Sequence, residues 1–129
     1  MSLTKNTILR NRLGALEVQA PGSLHHAERV AVYSVAVAER LGFSDSNLRK
    51  LRMAAELHDL ASHSTDGQAQ TIIRLCDEFD ARRTGFHGRE HSSEADALAW
   101  LQDEASSEFG SQPVNALLHV QTVIQPVGT

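Results

Sequence analysis

Four ionisable residues lie on or beside apolar helix faces and could together bind a metal ion. His26 falls on the apolar stripe of one predicted helix and His58 on the stripe of the next. Asp59 is rotated from His58 by about 100° in a helix of 3.6 residues per turn, and Asp77 lies beside the apolar stripe of a further predicted helix. Buried charges are tolerated only when they are paired or bound to a metal. Mixed histidine and carboxylate ligation suits iron, manganese, zinc or nickel.

A purely structural role for the same residues is the alternative. His26 can cap the start of its helix, while His58 and Asp59 can form hydrogen bonds at the end of theirs. Spacing alone favours this alternative, because an isolated His-Asp pair is a weak signal. Cys76 is most simply a small core residue, and the aromatic pair Trp100 and Phe109 is expected to pack the last helices.

The elements that must position these residues are all predicted to be helices. Apolar residues recur with a helical period, and the two-residue alternation of strands is absent. Pro21-Gly22 and Gly42 mark breaks, Ser23 is a candidate helix cap, and Ser93 with Asp96 resembles a capping box. The predicted helices cover 4–18, 23–41, about 47–58, about 67–83, about 93–105, and a short sixth helix with Pro113 in its first turn. The fold class is therefore an all-α, compact bundle of about six helices, with the second helix at its centre.

Length and composition restrict the class of protein. The chain of 129 residues, 41% hydrophobic and 22% charged, is expected to form a single domain, with a frayed tail at 125–129. Its net charge of -4 argues against a nucleic-acid duplex as partner. No apolar run approaches the roughly 20 residues that span a bilayer. With no signal peptide and Cys76 as the only cysteine, a cytoplasmic location is expected.

Three segments together carry a resemblance to a known family. The segment HHAERVAVYSVAVAERLGFSDSNLRKLRMAAELHDL resembles the first half of an HD-domain protein of the HD-GYP type: a His-x-x-Arg-Val helix start, an apolar helix ending in Leu-Gly, and a helix ending in Leu-His-Asp. The segment IIRLCDEFDARRTG is similar to the family's Asp-x-x-Asp-Ala stretch. The segment SSEADALAWLQDEASSEFGSQPVNALL is similar to its last two helices. The resemblance covers about residues 20–119.

The resemblance implies an HD-domain-like core at 23–119 with a phosphohydrolase metal site. The positions that match the family's metal quartet are His26, His58, Asp59 and Asp77. Asp59 would also be the catalytic residue, as ligand and as proton acceptor for a metal-bound water. The implied ligands are nucleotides or cyclic dinucleotides, and no organic cofactor is expected.

The departures from the family pattern bear on catalysis. Ala61-Ser62 stands where the family has Gly-Lys, so the phosphate-binding lysine is absent. Only seventeen residues separate Asp59 from Asp77, where the family has a much longer middle segment with further histidine ligands and a Gly-Tyr-Pro loop, and no Gly-Tyr-Pro sequence occurs. The remaining site could therefore hold one metal ion rather than a cluster. The candidates for phosphate binding are Arg29, Arg82 and Arg83. The candidates for additional ligands are His63, His87 and His91.

Two functions follow from these observations, and a third is less favoured. The missing lysine and middle segment favour a degenerate HD-GYP-like signal-transduction domain that acts through ligand or protein interaction, with weak or no catalysis. The retained quartet supports the alternative, an active metal-dependent phosphohydrolase or phosphodiesterase. A plain helical scaffold is the third option. Because the absence of the family's middle segment would uncover apolar flanks of the core helices, we expect a homodimer or an unusual rearrangement of the helices in either of the first two cases.

Overall fold

The described part of the chain consists of helices joined by short links. The computed structural model describes residues 22–57, 67–85 and 93–124, and these ranges contain no strand. They form six helices: α1 (Ser23–Arg40), α2 (Asp45–Glu56), α3 (Gly67–Thr84), α4 (Glu94–Asp103), α5 (Ala105–Phe109) and α6 (Ser111–Val120). The predicted all-α fold class is thus confirmed. The predicted leading helix at 4–18 and the tail at 125–129 lie outside the described residues.

Local sequence signals explain where the helices begin. The Ser93 hydroxyl accepts a hydrogen bond from the Asp96 backbone amide at 3.1 Å, which confirms the predicted cap of α4. The prediction for Ser23 is wrong, because Gly22 takes the capping position with a φ of 93° and Ser23 is already helical. The helix α2 starts two residues earlier than predicted, since the Ser44 hydroxyl accepts a hydrogen bond from the Asn47 amide.

The segment predicted as one helix over about 93–105 is longer and divided. The chain leaves helical geometry at Glu104, where φ is -122°, and resumes as α5. This change of direction lets Phe109 pack edge-on against Trp100, with the two ring centroids 6.0 Å apart. Both rings are buried, as predicted, and the aromatic contact stabilises the bend.

The core is built around α1, as predicted from the apolar residues that cover most of its circumference. This helix packs against α2, α3 and α6. Tyr33 of α1 meets Phe79 of α3 edge-on, with ring centroids 5.6 Å apart. Burial raises the pKa of the Cys76 thiol to about 12, which leaves this residue a neutral core group, as predicted. The largest fully buried apolar side chains are Val30, Val37, Leu51, Ile72, Leu75, Phe79, Leu101, Val114 and Leu117.

The helices α1 and α2 are consecutive in the chain and form a hairpin. A four-residue link, 41–44, joins the two helices, and they pack against one another. The twelve residues of α2 extend for about 18 Å, a length that, in an antiparallel pair, would bring its end towards the first turns of α1, where His26 lies. Among the described residues, no helix is long and apolar enough to cross a membrane.

We expect Phe79→Ala to lower the free energy of unfolding by about 3–5 kcal/mol, because it removes a fully buried ring and leaves a cavity against Tyr33. Urea unfolding followed by circular dichroism measures this change. Val123→Ala is the matched control, since Val123 is 72% exposed and its truncation should change the free energy by less than about 0.5 kcal/mol. Equal stability of the two variants would contradict the described core.

Candidate metal centre

The imidazole of His26 is held between two carboxylates of α3. His26 lies in the first turns of α1 and is fully buried. Its Nε2 lies 2.7 Å from Oδ1 of Asp77, and its Nδ1 lies 2.8 Å from Oδ2 of Asp80. The two aspartates are three residues apart on α3 and therefore share one face of that helix. Both ring nitrogens are thus within hydrogen-bond distance of a carboxylate.

Asp80 is the most enclosed member of this cluster. Its side chain is fully buried, and its Oδ1 accepts a hydrogen bond from Nε of Arg29 at 2.8 Å. The guanidinium of Arg83, one turn further along α3, donates to the same oxygen at 3.3 Å. Asp80 was absent from the site predicted from sequence. The Asp-x-x-Asp spacing in the sequence could have predicted its place in the site, because residues three apart share one helix face and can contact the same neighbouring helix.

The electrostatics of the cluster favour a charged His26 in the metal-free protein. Burial opposes the imidazolium, but the hydrogen bonds to Asp77 and Asp80 and the charges of both carboxylates outweigh it and raise the pKa of His26 to about 9. For Asp80, burial opposes the carboxylate. The hydrogen bonds from His26 and Arg29, with the charges of these two residues, outweigh burial and lower the pKa of Asp80.

The contact between His26 and Asp77 is a short hydrogen bond, with 2.7 Å between Nε2 and Oδ1. Nitrogen and oxygen ligands at about 2.0–2.2 Å from a metal ion lie about 3 Å apart at a right angle and about 3.4 Å apart at a tetrahedral angle. The two side chains are therefore closer together than two ligands of one metal ion would be. A metal ion in place of the Nε2 proton would require Asp77, whose side chain is 33% exposed, to move outwards. Asp80 would keep its contact with Nδ1.

The remaining predicted ligands belong to parts of the chain that the structure does not describe. His58 and Asp59, which follow directly after the end of α2, lie outside the described residues, as do His63, His87 and His91. Within the described ranges, no three histidine, cysteine, aspartate or glutamate side chains form a metal-binding group. The His26 ring and the carboxylates of Asp77 and Asp80 do not surround one point, because the two carboxylates lie at different nitrogens of the ring. The quartet and the catalytic role of Asp59 stay predictions.

The three arginines predicted to bind phosphate all have carboxylate neighbours. Arg29 is buried and donates to Asp80, and Arg83 donates to the same carboxylate. The Nε of Arg82 donates to Glu78 at 3.0 Å, and its guanidinium lies 4.6 Å from the centroid of the Trp100 ring. Phosphate binding by any of them stays a prediction, and it would have to compete with these contacts.

Comparisons of the chain with protein-family models, with curated proteins and with solved structures find no match. The relationship to HD domains therefore stays a prediction from the sequence pattern.

We expect the metal-free protein to lose stability as the pH rises from about 6.5 to about 9. The folded-state pKa of His26, about 9, exceeds its ordinary value of 6.5, so its stabilising contribution is complete below pH 6.5 and disappears above the higher value. Because one pKa unit corresponds to about 1.4 kcal/mol, the loss should reach about 3 kcal/mol. Urea unfolding in the presence of a chelator, at a series of pH values, measures it.

Two variants test the origin of this pH dependence. His26→Gln should remove it, whereas His119→Gln, which changes an exposed histidine at the end of α6, should leave it intact. A nuclear magnetic resonance titration of the wild-type His26 ring gives its pKa directly. An ordinary value near 6.5 would contradict the hydrogen-bonded arrangement.

Proposed function

We propose that the chain is an HD-like helical module that binds one divalent metal ion through His26, His58, Asp59 and Asp77. It acts as a degenerate signal-transduction domain, by binding a ligand or a partner protein, with weak or no catalysis. The observation that carries this proposal is the His26 ring, which has Asp77 at Nε2 and Asp80 at Nδ1. One carboxylate would serve as a fellow ligand and the other as a hydrogen-bond partner.

The topology supports the completion of the site by the His-Asp pair. His26 and Asp77 lie 51 positions apart in sequence, on α1 and on α3. The helix α2 ends at Glu56, two residues before His58, and its length would bring it back towards the His26 end of α1 in an antiparallel pair. Three helices would thereby contribute to one site, and the two imidazoles with two carboxylates suit iron, manganese, zinc or nickel.

The arginine contacts disfavour the binding of a phosphate, and therefore favour interaction with a partner protein over turnover of a phosphate substrate. Ala61-Ser62 occupies the place of the family's Gly-Lys, so a phosphate would need another cation. Arg29 and Arg83 both hold Asp80, and Arg82 is paired with Glu78. Recruiting any of these side chains to a phosphate would break an existing charge-assisted hydrogen bond, which is costly in a buried place.

An active phosphohydrolase or phosphodiesterase is the second candidate, favoured by the partial exposure of Asp77. A metal ion next to this carboxylate would be accessible to solvent and to a ligand. When bound, it would activate a water and polarise a phosphoryl oxygen, and Asp59 would accept the proton of that water. The substrates would be nucleotides or cyclic dinucleotides. The homodimer and the cytoplasmic location also stay predictions for either function.

Metal analysis of protein purified without an affinity tag tests the metal site. We expect one equivalent of iron, manganese, zinc or nickel per chain, because the quartet holds a single ion. His58→Ala and Asp77→Asn should both abolish binding, while His119→Ala serves as the control at an exposed histidine. A wild-type protein that stays metal-free after incubation with each of these ions would rule the proposal out.

A turnover assay separates the two candidate functions. The protein, supplied with Mn²⁺, is incubated with bis-para-nitrophenyl phosphate, and the release of nitrophenol is followed. The binding role predicts no release above the level of an Asp59→Asn variant. Hydrolysis that depends on Asp59 would instead establish the phosphodiesterase.

A further inference from the structure

A histidine that binds a metal needs a partner for its second ring nitrogen. A neutral imidazole carries one proton, and the nitrogen without it binds the metal. In His26, Nε2 faces Asp77 and Nδ1 faces Oδ2 of Asp80 at 2.8 Å. If the proton stays on Nδ1, the Nε2 lone pair points at the side of the ring where Asp77 lies.

The two oxygens of Asp80 have separate partners. Oδ1 accepts hydrogen bonds from Nε of Arg29 on α1 and from the guanidinium of Arg83 on α3. Oδ2 faces Nδ1 of His26. Since the carboxylate is fully buried and held from two helices, it cannot rotate without losing a charge-assisted hydrogen bond. Its acceptor atom for His26 is therefore fixed in direction.

We propose that Asp80 is the positioning residue of the metal centre: it accepts the Nδ1 proton of His26, fixes the ring orientation and makes Nε2 the ligand atom, while Arg29 and Arg83 hold its carboxylate in place. This inference rests on the proposed metal binding. It assigns to Asp80 a role in metal affinity that is distinct from that of Asp77, the ligand three residues earlier on the same helix. Asp80 itself does not touch the metal.

The substitution Asp80→Asn tests this role, with Glu78→Gln as the matched control. Both changes replace a carboxylate of α3 by its amide, but Glu78 pairs with Arg82 and not with His26. The amide group of asparagine cannot accept from His26, Arg29 and Arg83 at once, because half of it is a donor. We expect the zinc affinity, measured by competition with a chelator, to fall about 10- to 100-fold in Asp80→Asn. It should be unchanged in Glu78→Gln.

Nuclear magnetic resonance of the zinc-loaded wild type gives a second measurement, which does not depend on whether the variant folds. Long-range proton–nitrogen correlations of the His26 ring should show zinc on Nε2 and a proton on Nδ1 that exchanges slowly with water. A purely structural Asp80 would not require this tautomer. Zinc on Nδ1, or an Nδ1 proton in fast exchange, would overturn the inference.

The possible outcomes separate the two proposals. A wild type that binds no zinc refutes the metal site itself, and the role of Asp80 with it. A wild type that binds zinc while folded Asp80→Asn binds it equally well refutes only the role of Asp80. Urea unfolding of both variants in the absence of zinc shows whether a loss of affinity reflects a loss of fold.

Discussion

The buried carboxylate of Asp80 is the group on which the arrangement of α1 and α3 depends. It is fully buried, and its ion pairs with His26 and Arg29 cross from one helix to the other. An isolated charge in this position would be strongly destabilising. Removing one partner of such a group typically costs about 3–5 kcal/mol, because the remaining charge stays buried. The cluster therefore tolerates little change in the relative position of the two helices.

Apolar packing and the charge cluster act on the same pair of helices in different ways. The contact of Tyr33 with Phe79 and the burial of Val30 and Leu75 supply attraction that depends little on direction. The hydrogen bonds of His26 and Arg29 to Asp80 are directional. Apolar contacts thus bring α1 and α3 together, and the polar contacts select one register between them. That register is the one in which Asp77 also reaches the His26 ring.

The metal-free fold and the proposed metal-bound state require different protonation states of the His26 ring. In the metal-free protein the imidazolium joins two carboxylates, and its charge stabilises the fold. In the proposed metal-bound state the ion takes the place of the Nε2 proton, and Asp80 keeps its hydrogen bond to Nδ1. Among the described residues, Asp80 would thus orient the His26 ring before a metal arrives, and Asp77, whose side chain is partly exposed, would have to move. Pre-orientation of this kind lowers the entropic cost of binding.

The sequence by itself determined the helical class, the central place of α1 and the candidacy of His26 and Asp77, because each follows from the period of apolar residues within one helix. It also identified the cap at Ser93. Only the tertiary structure decided that the chain bends at Glu104, since the bend depends on the packing of two aromatic rings. It likewise decided that Asp80 shares the His26 ring with Asp77. The helical period of a sequence predicts which face of its helix a residue occupies. The axial register between two packed helices depends instead on contacts between residues far apart in the chain.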